Sequence, residues 1–191
     1  MNKKILIMAL TILAVAMMAT PLLGTVSACG NRSWRKSIEK IPVQIGGGGV
    51  TVSPPEVKVC GNVQIGRGGT LSYGFYAIVD ISTTPPTLLV GGMESGATSL
   101  WTANYVVNTK TGKGVLCYDA VMTIPSKGTF EGRVILLGTF SLNGPYANQQ
   151  EGFRYGVLRG TGDYEGWKLV ISAKTTADVT TWENYLYKPA T

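Results

Sequence analysis

The sequence predicts an all-β protein: a single closed, or nearly closed, antiparallel β-barrel of about eight strands, preceded by an N-terminal signal peptide. Three observations predict it. Past the leader, apolar and polar residues alternate with a period of two in segment after segment, as strands with one buried face require. No stretch of about a dozen residues past the leader carries a helical period. The chain of 191 residues holds 25 Gly and 9 Pro but only 15% charged residues, which suits many turns and not a coiled coil or helical repeat.

The first element is an address. Met1-Asn2-Lys3-Lys4 is basic, Ile5 to Met18 is apolar apart from Thr11, and Val26-Ser27-Ala28 is a small-residue cut site. This is the layout of a secretory signal peptide over residues 1–28. Ile5 to Ala28 is 24 residues, long enough for a membrane anchor, since about 20 span a bilayer. Pro21 and Gly24 break its second half and favour cleavage. Val26-Ser27-Ala28-Cys29 also resembles the lipobox of bacterial-type lipoproteins, which makes Cys29 a lipidation candidate beside plain cleavage after Ala28.

Residues 29–42 read as a basic tether carrying Arg32, Arg35, Lys36 and Lys40, and residues 43–191 as the barrel domain. Removing residues 1–28 takes Lys3 and Lys4 and no acid, so 15 basic residues stand against 11 acidic ones, a net charge of +4. Asn31-Arg32-Ser33 fits the glycosylation sequon and makes Asn31 a candidate acceptor. The expected setting is secreted, or anchored on the outer side of the cytoplasmic membrane. Membrane contact is then through the N-terminus only, and no nucleic-acid partner is implied. In an oxidising compartment cysteines tend to pair. Cys60 and Cys117 lie in strand-like segments, so the economical assignment is a Cys60–Cys117 disulfide with Cys29 left over. The alternative for the pair is two small buried thiols.

The strands follow in order. In Val57 to Ile65 the odd positions are apolar or Gly. From 71 to 81 one face is Leu71, Tyr73, Phe75, Ala77, Val79 and Ile81; from 99 to 107 it is Ser99, Trp101, Ala103, Tyr105 and Val107. From 116 to 124 it is Leu116, Tyr118, Ala120, Met122 and Ile124; from 167 to 173 it is Trp167, Leu169, Ile171 and Ala173. Arg133 to Leu137, Phe153 to Val157 and residues 182–187 complete the set. Thr109 to Gly114 reads as a tight hairpin, and Thr84-Pro85-Pro86, Ser126-Lys127-Gly128 and Asn143-Gly144-Pro145 as breaks. Trp34 to Ile41 is a short turn at most, and Gly46 to Gly49 a joint or bulge-rich strand. The four glycines lack the Lys-Ser/Thr ending and helix of a phosphate loop.

Gly128-Thr129-Phe130-Glu131-Gly132 is echoed 32 residues later in Gly160-Thr161-Gly162-Asp163-Tyr164-Glu165-Gly166. Both read as hairpin corners whose aromatic caps the core end. The second resembles the Gly-[Ser/Thr]-Gly-x-[Phe/Tyr]-x-Gly turn of allene-oxide-cyclase-like and dirigent-like barrels, and of related secreted proteins of unknown function. The resemblance covers residues 160–166 closely and residues 98–173 by strand rhythm. It implies a small closed antiparallel barrel with an internal cavity, and it assigns no catalytic residue.

The chain has no histidine, so a Ser-His-Asp triad, a Cys-His pair and histidine metal ligands are excluded. Asp80 and Asp119, set in apolar strands, read as polar-face or paired acids, and Glu131, Asp163 and Glu165 as turn-stabilising residues. No cofactor and no metal site is expected. The aromatics are more informative. Tyr73, Phe75, Trp101, Tyr105, Tyr118, Phe153, Tyr155 and Trp167 fall mostly on the presumed inner faces. A barrel of about eight strands is either filled or holds one small ligand. Filling is the simpler case; a cavity has Trp101, Tyr105, Tyr118 and Trp167 as its walls. The leading expectation is non-catalytic binding of a small apolar or aromatic molecule, or a cell-surface accessory role. A structural envelope or filament protein assembling through β-edges comes second, and a cavity-based isomerase or cyclase third. Ligand identity and oligomeric state are not legible.

Overall fold

A long hairpin starts the barrel. The computed structural model describes residues 38–143, 147–177 and 179–190. In it β1 (Ile38–Ser53) and β2 (Glu56–Cys60) run antiparallel to β3 (Val63–Asp80). One register holds throughout: Val43 faces Asp80, Ser53 faces Thr70, Glu56 faces Arg67 and Cys60 faces Val63. Pro54-Pro55 separates β1 from β2, because proline offers no N–H to the ladder. Gly61 closes the two-residue turn with φ of 60°, at the position where a type II′ turn takes glycine.

The chain then meanders through β4 (Thr87–Gly91), β5 (Thr98–Asn108), β6 (Lys113–Ile124), β7 (Gly128–Ser141), β8 (Asn148–Gly160), β9 (Lys168–Thr176), β10 (Val179–Trp182) and β11 (Asn184–Pro189). The sheet order is β1-β11-β9-β8-β7-β6-β5-β3, and β3 returns to β1. Eight antiparallel strands therefore close a barrel, with β2 and β4 as extensions on β3 and β10 prolonging β11 along β9. Among the described residues there is no α-helix, only two single 3₁₀ turns.

Alternation places the core as the sequence predicts on three strands. Ala103, Tyr105 and Val107 on β5, Leu116, Ala120, Met122 and Ile124 on β6, and Leu169, Ile171 and Ala173 on β9 are all buried. The two echoed corners meet at one end of the barrel. Thr161 N donates to Thr129 O (2.9 Å), and the two threonine hydroxyls lie 2.8 Å apart. Phe130, fully buried, packs on Tyr164 (centroids 5.1 Å), and Tyr164 on Trp167 (5.4 Å). The aromatics thus plug that end.

Curvature comes from a row of glycines across three strands: Gly114 faces Gly138, and Gly138 faces Gly152. Gly138 has φ of 154° and Gly152 of 131°. A Cβ on either would collide with the carbonyl oxygen of the facing strand, Glu151 O or Leu137 O. Glycine at such points lets a sheet bend into a barrel corner.

Several expectations are corrected. Residues 38–42 are the start of β1 on β11, not tether or turn. The apolar face of β2 is uncovered: Val57 and Val59 are exposed, because β2 extends beyond the closed ring. On β3 the inner face changes parity. Leu71 and Tyr73 border the interior, but Tyr76 and Ile78 are the buried residues further on. The switch lies opposite Gly46 to Gly49, which face Ala77 to Gly74 in the shared register. Phe153 and Tyr155 point outward, 62% and 60% exposed, since they face Leu137 and Ile135 while Arg154 faces the buried Leu136.

The Cys60–Cys117 bond is absent; both thiols are free. Both lie off the inner face, as the alternation implies, but they are far apart across the sheet. Cys60 is at the hairpin tip beside Val63, and Cys117 is on β6 opposite Asn104. With β3 and β5 between them, three inter-strand steps amount to about 14 Å of sheet. A disulfide needs Cα atoms within about 7 Å. Partial burial pushes the Cys117 thiol up. The leader, Cys29 and Asn31 lie outside the described residues.

Candidate functional site

The ring of strands is closed at one level and forked at another. β1 pairs with β11 from Ile38 to Val43, where Val43 faces Asn184. Beyond that point, among the described residues, β1 pairs only with β3, and β10 pairs only with β9. The two strands diverge and leave a side opening into the barrel. Gln44, Gly46 and Gly47 border it from β1, and Trp182 from β10; all four are exposed.

Behind the opening lies a cavity of about 650 Å³. That falls within the range of about 300–1,000 Å³ usual for small-molecule pockets. Its wall is aromatic and aliphatic. Trp101 meets Tyr118 edge to face (centroids 5.9 Å), with Met122, Val134, Leu136 and Ile171 alongside. The Trp101 indole N–H donates to Ser99 Oγ at 3.2 Å, which fixes the ring against the wall.

Polar groups interrupt this surface, among them Asn184, Tyr76 and Arg154. Asn184 is buried, and its Oδ1 accepts from Ser172 N (3.2 Å), anchoring the fork. Tyr76 is 1% exposed, and its hydroxyl has no hydrogen-bond partner among the described residues. Burial, and secondarily Tyr164, push that hydroxyl well above the ordinary tyrosine value. A buried donor left unmade costs about 1–3 kcal/mol. The third group is Arg154, on β8. Its Nε donates to Gln149 Oε1 at 2.7 Å. Gln149 Nε2 donates to Leu137 O (3.0 Å) and Phe153 O (3.3 Å), so the amide can offer Arg154 only its oxygen. The Arg154 guanidinium also lies over the Trp182 ring, 5.2 Å from its centroid. Burial lowers the Arg154 pKa, and Tyr118 acts in the opposite sense.

Of the four predicted wall residues, the structure brings two to the cavity, Trp101 and Tyr118. Tyr105 is buried beyond it: its ring covers Gly66, where any Cβ would strike it, and its hydroxyl accepts from Gln64 Nε2 at 2.8 Å. Trp167 belongs to the end plug with Tyr164. Three of the candidate acids make local contacts. Asp80 Oδ1 accepts from Ser82 N and Oγ, Asp119 pairs with Arg133 on the exposed face (2.7 Å), and Glu131 accepts from Thr129 Oγ1. Among the described residues no three potential metal ligands gather. The sequence reading missed Arg154, Gln149, Tyr76 and Trp182. A usable signal was present on β8: Gly152, Arg154, Gly156 and Leu158 share one face, and small barrels alternate small and large residues inside.

Comparison with protein-family models, known proteins and solved structures gives no match for this chain.

Proposed function

We propose that the barrel takes up one small apolar or aromatic molecule through the side opening and holds it without chemical change. The carrying observation is the cavity of about 650 Å³ behind the fork, walled by Trp101, Tyr118 and Met122. A binding role fits the wall better than a catalytic one. Among the described residues its ionisable groups are Arg154 and the tyrosines Tyr73, Tyr76 and Tyr118. A general acid or base works best with a pKa near the operating pH, and burial moves Tyr76 away from it. The Tyr76 hydroxyl gains an acceptor if the ligand carries an oxygen. Read with the leader, the protein does this outside the cytoplasmic membrane, secreted or tethered.

The test is titration of the full chain with the neutral dye N-phenyl-1-naphthylamine. The expected result is saturable binding of one dye per chain, with quenching of tryptophan emission. Leu71→Trp adds bulk at the wall and is expected to weaken binding roughly tenfold. Unsaturable uptake, or saturable binding indifferent to Leu71→Trp, overturns the proposal.

A second reading, assembly through strand edges, has one observation in its favour. The long hairpin exposes Val50, Val52, Val57 and Val59, and among the described residues β2 is paired on one edge only. Exposed apolar edge strands invite pairing with another chain. A sedimentation coefficient that rises with protein concentration supports this reading; a constant monomer value removes it.

A further inference from the structure

We infer that the molecule this cavity accepts is a small anion with an apolar body, its charged end held by Arg154 beside the side opening. The inference rests on the binding role proposed above.

Arg154 differs from the protein's paired cations. Arg133 meets Asp119 at 2.7 Å and Lys188 meets Glu39 at 3.0 Å, so each of these cations has a carboxylate partner. Arg154 is half-buried, and its hydrogen-bond partner is a neutral amide. Among the described residues none that borders the cavity is acidic. Buried charges are normally paired, because leaving water is costly for an ion without a counter-charge. Here the counter-charge is not supplied by the wall.

The local geometry holds the guanidinium ready for one. Gln149 fixes the Nε side, and its own amide hydrogens are committed to Leu137 O and Phe153 O. Trp182 stacks near the guanidinium at the exposed rim. A guanidinium has five N–H donors in a planar fork, so with Nε occupied the terminal nitrogens present the edge that matches an oxyanion. The rest of the wall includes Trp101, Met122, Val134 and Ile171, which suits a ring or short chain, and among the described residues it offers no second cation. Carboxylates and sulfonates on an aromatic or aliphatic body meet both requirements.

A matched pair of dyes tests this on the full chain. 8-Anilino-1-naphthalenesulfonate has the body of N-phenyl-1-naphthylamine plus one sulfonate. The expected result is that the sulfonate binds roughly tenfold more tightly at low salt. Arg154→Met is expected to bring the two affinities within about twofold of each other, and Arg154→Lys to keep part of the preference. Equal affinities in the unaltered protein, or a preference that survives Arg154→Met, overturn the inference and leave the binding role standing. If neither dye binds the unaltered protein, both fall. If Arg154→Met loses the neutral dye as well, the preference of the unaltered protein decides.

Discussion

Phe130→Ala is expected to destabilise the barrel by about 3–5 kcal/mol, the usual cost of emptying a fully buried phenylalanine site. The ring has no exposed surface and packs on Tyr164, which in turn packs on Trp167. The backbone around it has little freedom to collapse into the gap. Thr129 and Thr161 are bonded to each other through backbone and hydroxyls, and Asp163 N donates to Lys127 O at 2.7 Å. Because the corner is held from both sides, the cavity left behind should stay largely open, which puts the cost in the upper part of the range. Urea unfolding followed by tryptophan fluorescence checks it as a fall in midpoint at unchanged slope. A loss under about 1 kcal/mol means that the two corners do not form a packed plug.

Gly138→Ala is expected to cost about 4 kcal/mol or more, or to prevent folding. The new Cβ meets the carbonyl oxygen of Glu151, a backbone atom of the facing strand, at a φ of 154°. No rotamer change relieves such a clash; β7 and β8 must separate. Gly46→Ala is the control. A Cβ there meets nothing within 4 Å, so the change should lie within about 0.5 kcal/mol of the unaltered protein. Both variants are read by the same urea titration. Equal stability of the two contradicts the assignment of the Gly114–Gly138–Gly152 row as the bend of the barrel.

The fold class, and the inner faces of β5, β6 and β9, were legible because alternation there runs unbroken and each strand has one covered and one wet face. On β3 the same rule misplaced residues. Period two reports faces only while the strand keeps its sense, and β3 switches sense opposite Gly46 to Gly49. On β2 the alternation of Val57 and Val59 is present, yet no layer covers it, and local pattern does not say whether a partner face exists. The disulfide failed for a related reason: alternation shows on which side a cysteine lies, not how many strands stand between two of them.

The candidate site was half legible. Trp101 and Tyr118 sit on unbroken strands, and both reach the cavity. Arg154 was hidden between Phe153 and Tyr155, where hydrophobicity argues that the aromatics are inside. Pairing decides otherwise, since Arg154 faces Leu136 and Phe153 faces Leu137, whose side chain is 52% exposed. Such a charge turned inward beside a cavity is the kind of local inconsistency that functional sites tolerate.

The most direct test is where a bound molecule lies. With N-phenyl-1-naphthylamine present, nuclear Overhauser contacts from the dye are expected at the methyl groups of Met122, Val134 and Ile171, which border the cavity. Contacts confined to Val57, Val59, Val106 or Leu137, all exposed on the outside, contradict a barrel that receives its ligand within.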